Sequence, residues 1–309
     1  MGSFLTLDYL IGFGFSVIRM STPLIYCAMG ALISKHGGQI NMALEGILLS
    51  SSLIGVLFSA WTQSLWGGVL GAIIGGVLIS LIMGYMNIII DADMMLTGIS
   101  LNQLAMGGTI YVLFALTNTK SSTQGLNSFV FPNWDIPLLK DIPVLGGILS
   151  GHNALTYVAF LIAFLTWVFV FRTKTGLRIR AIGFNPNAAA SVGINVKRVK
   201  FSAFIYSGVF AALGGAFMSM GYLSYWAQNM TAGRGFIGIS ATNLANGNVL
   251  LTVLSSVFFG LTDALSIALQ TLNFRFQLVQ MIPYLSTVIG LVILSIIQNK
   301  KARLKQLGK

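Results

Sequence analysis

Carboxylates are scarce in this chain: seven Asp and Glu stand among 309 residues, against eighteen Lys and Arg. Charged residues make up only 8 % of the sequence, where a soluble domain carries about 25 %. An ordinary water-soluble fold is excluded. The single cysteine, Cys27, lies inside an apolar run; it excludes a disulfide framework and reads as a packing residue. The two histidines, His36 and His152, fall in polar links, so no His/Cys constellation arises and no metal site is expected. A G-x-x-x-x-G-K-[ST] phosphate loop is missing, as is any defensible Ser/His/Asp arrangement. The chain is expected to be no enzyme and to hold no cofactor; if a nucleotide drives it, ATP and Mg²⁺ are bound by another chain. No Lys or Arg precedes Arg19, and Asp8 stands where a leader peptide would be basic, so no cleaved signal peptide is expected.

What the chain has instead is apolar surface. Hydrophobic residues reach 55 % and the mean hydropathy is +0.83. Several runs reach or approach the ~20 residues a spanning helix needs, which predicts an all-α polytopic membrane protein, one transmembrane domain over residues 1–309. A net charge of +11 could point to nucleic acid, but the basic residues flank the apolar runs. Positive-inside bias explains them, so the partner is the lipid bilayer and no nucleic acid is expected.

In chain order, the pattern predicts spans over 9–33, interrupted by Arg19 and Pro23, then 41–60, 66–87 and 94–116. Gly67, Gly71 and Gly75 recur every four residues in the third, a small-residue seam for close helix packing. Residues 117–153 form a Pro- and Gly-bearing polar loop, too long for a simple connector, and are expected to build a small surface structure. Further spans follow over 154–171 and 201–225, then a weakly apolar Gly- and Asn-rich piece over 230–248, then 249–272 and 280–297. Lys and Arg concentrate in 172–200 and in the tail 298–309. Both are placed in the cytoplasm of a plasma-membrane protein, with the loop 117–153 outside. Counting back puts the N-terminus outside. Counting forward, 230–248 must cross for the tail to finish inside, giving nine crossings with one or two of them short or interrupted. A re-entrant hairpin at 230–248 is the alternative.

Charged groups inside apolar runs are costly, roughly 2.5–3.5 kcal/mol at mid-bilayer, and each is a candidate for pairing or function. Arg19, Glu45, Arg234 and Asp263 are the obvious ones. Glu45 follows Asn41 by four residues, one helical turn, which predicts a shared face. Arg234 opens the second weak segment in a similar Gly-flanked setting. Met29–Ser34 faintly echoes Gly214–Ser219, and short interrupted helices at corresponding places of two halves point to a transport pathway. Asn102 and Gln103 in mid-span, with Asn243 and Asn246 in the weak segment, read either as interhelical glue or as an uncharged pathway for a hydroxyl-rich solute. The candidate pathway set is Asn41, Glu45, Asn102, Gln103, Arg234, Asn243 and Asn246.

The stretch 171–201 carries seven basic residues and no carboxylate. Inside it lies a helix signal: Asn185 as N-cap, Pro186 at the first helical position, Asn187, Ala188, Ala189 and Ala190, then Gly193 beyond the end. A helix this short is marginal alone in water, so it is expected to dock on a partner.

Four pieces of this sequence resemble one family. They are Ala-Leu-Ile-Ser-Lys-His-Gly-Gly-Gln-Ile-Asn-Met-Ala-Leu-Glu-Gly at 31–46, Leu-Thr-Gly-Ile-Ser-Leu-Asn at 96–102, Gly-Leu-Arg-Ile-Arg-Ala-Ile-Gly-Phe-Asn-Pro-Asn-Ala-Ala-Ala-Ser-Val-Gly-Ile at 176–194, and Met-Thr-Ala-Gly-Arg-Gly-Phe at 230–236. In this order and spacing they resemble the permease subunits of ABC importers in the branched-chain amino acid and simple-sugar group. Within it the chain is most similar to the nucleoside/simple-sugar permeases that work with basic-membrane-protein lipoproteins. Two departures stand out: Phe184 where the family often has Glu, and Ala-Asn-Gly-Asn-Val at 245–249 where it usually has Gly-x-Pro-x-Gly. The resemblance implies alternating access for a nucleoside, a cytoplasmic ABC ATPase as partner, a second related permease subunit and an extracellular solute-binding lipoprotein. It also implies that 185–193, with Arg180, is the coupling helix of the ATPase interface. A simple-sugar importer and an ion-coupled secondary transporter remain alternatives; the latter needs titratable groups at the midplane, where only Glu45 and Asp263 qualify.

Overall fold

A computed structural model describes residues 7–137, 142, 144–270, 279, 281–290, 292 and 296. The expected tail 298–309 and residues 280, 291, 293–295 and 297 of the expected last span lie outside the described residues. Among the described residues, seven helices are long and apolar enough to cross a membrane. They are α1 (Leu7–His36), α2 (Leu44–Thr62), α3 (Leu65–Ile88), α4 (Met94–Thr117), α6 (Ala154–Arg172), α9 (Val196–Phe217, continued by a π-helical turn Met218–Tyr222) and α11 (Val249–Gln270). Shorter helices are α5 (Leu145–Leu149), α7 (Lys174–Phe184), α8 (Pro186–Ser191), α10 (Arg234–Leu244) and α12 (Met281–Gly290). The loop 117–153 carries α5 and a two-strand ribbon, β1 (Asn133–Trp134) against β2 (His152–Asn153), the small surface structure that its length and polarity predict.

The bundle has two distinct ends. At one, the α2–α3 turn lies beside the loop: Phe129 N–H donates to Ser59 Oγ, and Ser122 bridges Ala227. At the other lie His36, the α3–α4 turn and the basic helices α7 and α8. These are the loop end and the basic end.

The core is built from two sets of three helices with crossed partners. α1 packs on α10 and α11, while α9 packs on α2 and α3, and α1 and α9 pack on each other. α1 runs toward the basic end and α9 away from it, so α1–α2–α3 and α9–α10–α11 form an inverted pair. The echo between Met29–Ser34 and Gly214–Ser219 falls on the α1–α9 crossing. A Cβ on Gly30 would sit 2.8 Å from the Ser207 carbonyl, and one on Gly214 would sit 3.0 Å from Tyr26 Cβ. The α3 seam works the same way, bringing Ile54 of α2 and Ala212 of α9 against Gly75 and Gly76.

One expectation is corrected, and the weak segment is as short as expected. The second span begins at Leu44 rather than at 41. Residues 37–43 rise into the bundle as a turn held by Asn41, so Asn41 and Glu45 do not share a helix face. The weak segment 230–248 contains only eleven helical residues, about 16 Å of helix, too little for a ~30 Å hydrocarbon core. Left-handed residues Asn229, Ala232 and Gly233 block an earlier start, and Asn246 and Gly247 end the helix. The chain from 226 to 247 still links the two ends. Trp226 N–H donates to Thr123 Oγ1 at the loop end, and His36 Nε2 lies 2.9 Å from the Gly247 carbonyl at the basic end.

Candidate functional site

The interrupted starts of α2 and α10 meet inside the bundle, and Glu45 joins them. Its carboxylate accepts from Thr231 Oγ1 at 2.6 Å, Gly233 N–H at 2.8 Å and Gly235 N–H at 2.7 Å. The last two are orphan donors of the α10 N-terminus, where the helix dipole presents partial positive charge. α10 has no side-chain cap of its own; an acid in the first turn of its inverted counterpart supplies one. Glycine is required at both backbone donors. Gly233 has φ 79°, and a Cβ on Gly235 would stand 2.5 Å from Glu45 N and 2.6 Å from its Cα.

Arg234 points away from Glu45 toward α11. Its guanidinium donates to the carbonyls of Met230 and Thr231 at 3.2 and 3.4 Å, and meets Asp263 at 3.4 Å. Both charges are largely shielded, so this pair compensates the desolvation of each partner rather than adding surface-type stability. Beside the pair opens a cavity of about 510 Å³, within the usual 300–1,000 Å³ of small-molecule sites. Glu45, Arg234 and Asp263 supply charge to its wall, Asn229 and Gln270 amides, and Phe236 and Tyr284 rings. The Tyr284 hydroxyl donates to the Ala232 carbonyl at 2.7 Å, tying α12 to the turn before α10. The arrangement offers stacking faces, amide donors and acceptors, and a fixed ion pair. Such a wall suits an uncharged, hydroxyl-bearing ring compound.

The other pathway candidates divide. Asn41 is fully buried: its amide donates to Ser80 Oγ and Ser207 Oγ at 3.1 Å each, and its oxygen takes Ala43 N–H. Asn102 accepts from Gly46 N–H at 2.8 Å and donates to the Met42 carbonyl at 3.0 Å, fixing the start of α2. Both hold the turn that carries Glu45. Asn243 accepts from Lys35 Nζ at 3.1 Å at the basic end. Gln103 and Asn246 are exposed and lie outside the cavity wall. Sequence reasoning missed Asn229, Phe236, Gln270 and Tyr284. Only Phe236 carried a signal, two residues after an in-run arginine.

At the basic end, Asn185 Oδ1 accepts from the N–H groups of Asn187 and Ala188 at 3.0 and 3.1 Å. Pro186 opens α8, and Gly193 follows it with φ 83°. Ala188 and Ala190 face outward while Ala189 is buried. Phe184 and Val192, 89 % and 74 % exposed, flank the helix with apolar surface. The whole of 174–184 is a second helix, α7, capped by Thr173. It packs on the end of α1: a Cβ on Gly183 would overlap the His36 carbonyl, and Arg180 stacks over Phe171 with its carbon 4.9 Å from the ring centre. Since Lys35 and His36 hold residues 242–247, a continuous contact runs from α8 through α7 and α1 to α10.

The family of branched-chain amino acid transport system permease components matches residues 14–297. A nucleoside ABC transporter permease protein, NupC of Lactococcus lactis subsp. cremoris (strain MG1363), is 31 % identical over 90 % of this chain and 90 % of its own. A guanosine ABC transporter permease protein, NupQ of Bacillus subtilis (strain 168), is 31 % identical over 88 % of each chain. More distantly, a glucose ABC transporter permease protein, TsgB13 of Haloferax volcanii (strain ATCC 29605), is 25 % identical over 79 % of this chain and 66 % of its own. No solved structure matches the chain.

Proposed function

Because the chain belongs to the family of branched-chain amino acid transport system permease components, we propose that it is the membrane subunit of an ATP-driven importer carrying a nucleoside inward. The observation that carries the solute class is its likeness, at 31 % identity over about nine-tenths of the chain, to permeases named for nucleosides and guanosine. The cavity beside Arg234 and Asp263 is compatible: two aromatic rings for a base, amides and an ion pair for its edges and for ribose hydroxyls. A sugar is the second reading, favoured by the glucose permease among the relatives. An ion-coupled mechanism is disfavoured because Glu45 is engaged by three donors and Asp263 by Arg234, leaving neither as a free proton carrier.

In this reading the basic end is cytoplasmic, and the segment 223–248 makes an interrupted crossing, so that the count of nine follows. ATP and Mg²⁺ belong to an ABC ATPase that seats α8, with Phe184 and Val192 as apolar contacts on either side. A second, related permease completes the pathway, and a solute-binding lipoprotein delivers at the loop end. Closure of the ATPase pushes α8 and α7 against the end of α1. That end holds the 242–247 turn, so α10 shifts, and with it the wall formed by Arg234 and Glu45. Contact alone does not move anything; the ATP cycle supplies the differential interaction with the two states.

The test is uptake by proteoliposomes containing this chain, its permease partner, the ATPase and the lipoprotein. ATP-dependent, vanadate-sensitive accumulation of labelled guanosine, unaffected by ionophores and not displaced by excess glucose, is expected. Glucose accumulation without guanosine uptake would establish the sugar reading. Ionophore-sensitive uptake without ATP would sink both.

A further inference from the structure

Arg19 takes no part in the site above. It sits in α1 level with Asn153 and Tyr222, where α1 passes the start of α6 and the π-turn that closes α9, so it belongs to the loop end rather than to mid-bundle. Its guanidinium carbon lies 5.0 Å from the Tyr222 ring centre, and it makes no hydrogen bond and no ion pair among the described residues. The Nε is buried without an acceptor. The Tyr222 ring supports the face of the guanidinium; it cannot accept the five N–H groups, which lie in the plane of the fork. Beside it opens a cavity of about 320 Å³ lined mainly by polar atoms, with His152, Asn133 and Ser224 in its wall. Asn153 is spent on neighbours, its amide donating to the Phe131 carbonyl and its oxygen accepting Leu155 N–H. His152 is likewise fixed, stacked on Phe15 at 3.9 Å and bonded to the Ile148 carbonyl. Two polar side chains of the wall are therefore already engaged, and Arg19, the one formal charge lining the cavity, has no counter-ion among the described residues.

We infer that the pocket around Arg19 binds a single oxyanion group, a carboxylate or a phosphate, in the plane of the guanidinium. A planar fork with a supported face and a free edge is the arrangement that takes two oxygens of one such group at once. The group comes either from a free anion or from a lipid headgroup at the rim of the bundle. The π-turn Met218–Tyr222 fits this role. It lifts Tyr222 out of the register that α9 would impose and sets its ring under Arg19, the kind of local departure found at functional sites.

The test uses the full-length chain assembled with its partner subunits in a neutral maltoside detergent. Inorganic phosphate and acetate are titrated at constant ionic strength against chloride, with the unfolding midpoint as readout. Wild type is expected to show a saturable rise; Arg19→Gln is expected to abolish it, and Arg19→Lys, which keeps the charge but not the fork, to weaken apparent affinity at least tenfold. In parallel, co-purified phospholipid is quantified by mass spectrometry. Stoichiometric lipid in wild type that is lost from Arg19→Gln assigns the oxyanion to a headgroup, whereas a phosphate response without bound lipid assigns it to a free anion. If Arg19→Gln does not fold, an undiminished phosphate response and lipid content in Arg19→Lys overturns the inference. So does a wild type that neither retains lipid nor responds to either anion.

Discussion

Replacing Glu45 by Gln tests whether one carboxylate holds the two interrupted helices together. The carboxylate receives one hydroxyl and two backbone N–H groups at 2.6–2.8 Å and is 6 % exposed. In Gln, the carbonyl oxygen keeps one side of this set, while the amide NH₂ is turned toward a third donor. Two charge-assisted bonds become neutral, at about 1 kcal/mol each, and one N–H is left without an acceptor, at about 1–3 kcal/mol. The sum is about 3–5 kcal/mol. At roughly 2–4 °C per kcal/mol for a chain of this size class, the unfolding midpoint in detergent should fall by roughly 6–20 °C. Gly235→Ala attacks the same contact sterically, because its Cβ would overlap the Glu45 backbone, and should cost at least as much. Gln103→Ala, at an exposed position of α4, is the matched control and should lie within about 0.5 kcal/mol of wild type. A Glu45→Gln midpoint indistinguishable from that of Gln103→Ala would refute the reasoning, since a carboxylate that can be neutralised at no cost is not capping α10.

Three further outcomes are expected. Ala188→Glu with Ala190→Glu places charge on the outward face of α8 and should leave insertion and unfolding midpoint unchanged while abolishing uptake at undiminished ATPase activity; Ala189→Glu, at a buried position, should instead lower the midpoint. Asn41→Ala takes the amide donor away from the Ser80 and Ser207 oxygens and strands the Ala43 N–H, and a loss of about 2–4 kcal/mol follows, read as a lower midpoint and earlier proteolysis of the 37–43 turn. Burial, aided by the nearby Arg19 charge, lowers the His152 pKa against the opposing pull of the Ile148 carbonyl. The unfolded chain therefore binds the extra proton first as pH falls. Stability is full above about pH 6.5 and declines below it, and His152→Gln should flatten that part of the pH–midpoint curve.

The long spans were legible because composition and run length alone identify them; each of the seven candidate spans falls on an expected run to within a few residues at most ends, and the capping signal at Asn185, Pro186 and Gly193 in the basic stretch is realised as α8. α7 was not legible. Its mean pattern is too polar to read as a span, and Arg and Lys at 172–180 drew attention to topology rather than to helix formation. The start of α2 was misplaced because four-residue spacing from Asn41 to Glu45 mimics one helical turn, while the real cause of that spacing is a buried turn pinned by serines of α3 and α9. Those serines are distant in sequence and give no local signal. The same holds for the cavity. Glu45, Arg234 and Asp263 stand out as charges in apolar runs, but that Glu45 caps α10 while Arg234 turns to α11 depends on the crossed packing of the two halves. Asn102, read either as interhelical glue or as part of a pathway, braces Met42 and Gly46.

The crossed packing also sets a timetable for the chain's birth. α1 is synthesised first, yet its close partners α10 and α11 are separated from it by about two hundred residues; Lys35 and the Thr242 carbonyl it contacts are 207 positions apart. At roughly 5–20 residues per second of synthesis, α1 waits on the order of 10–40 s before the helices that bury it exist. Through that interval Arg19 and the polar turn behind Asn41 must be sheltered by something other than their final neighbours, and Glu45 has no α10 to cap. Neither half can settle early, so a truncated product ending before Arg234 leaves its most buried helix without a home. Quality control of such a chain has a single late checkpoint, the arrival of residues 231–235 at Glu45.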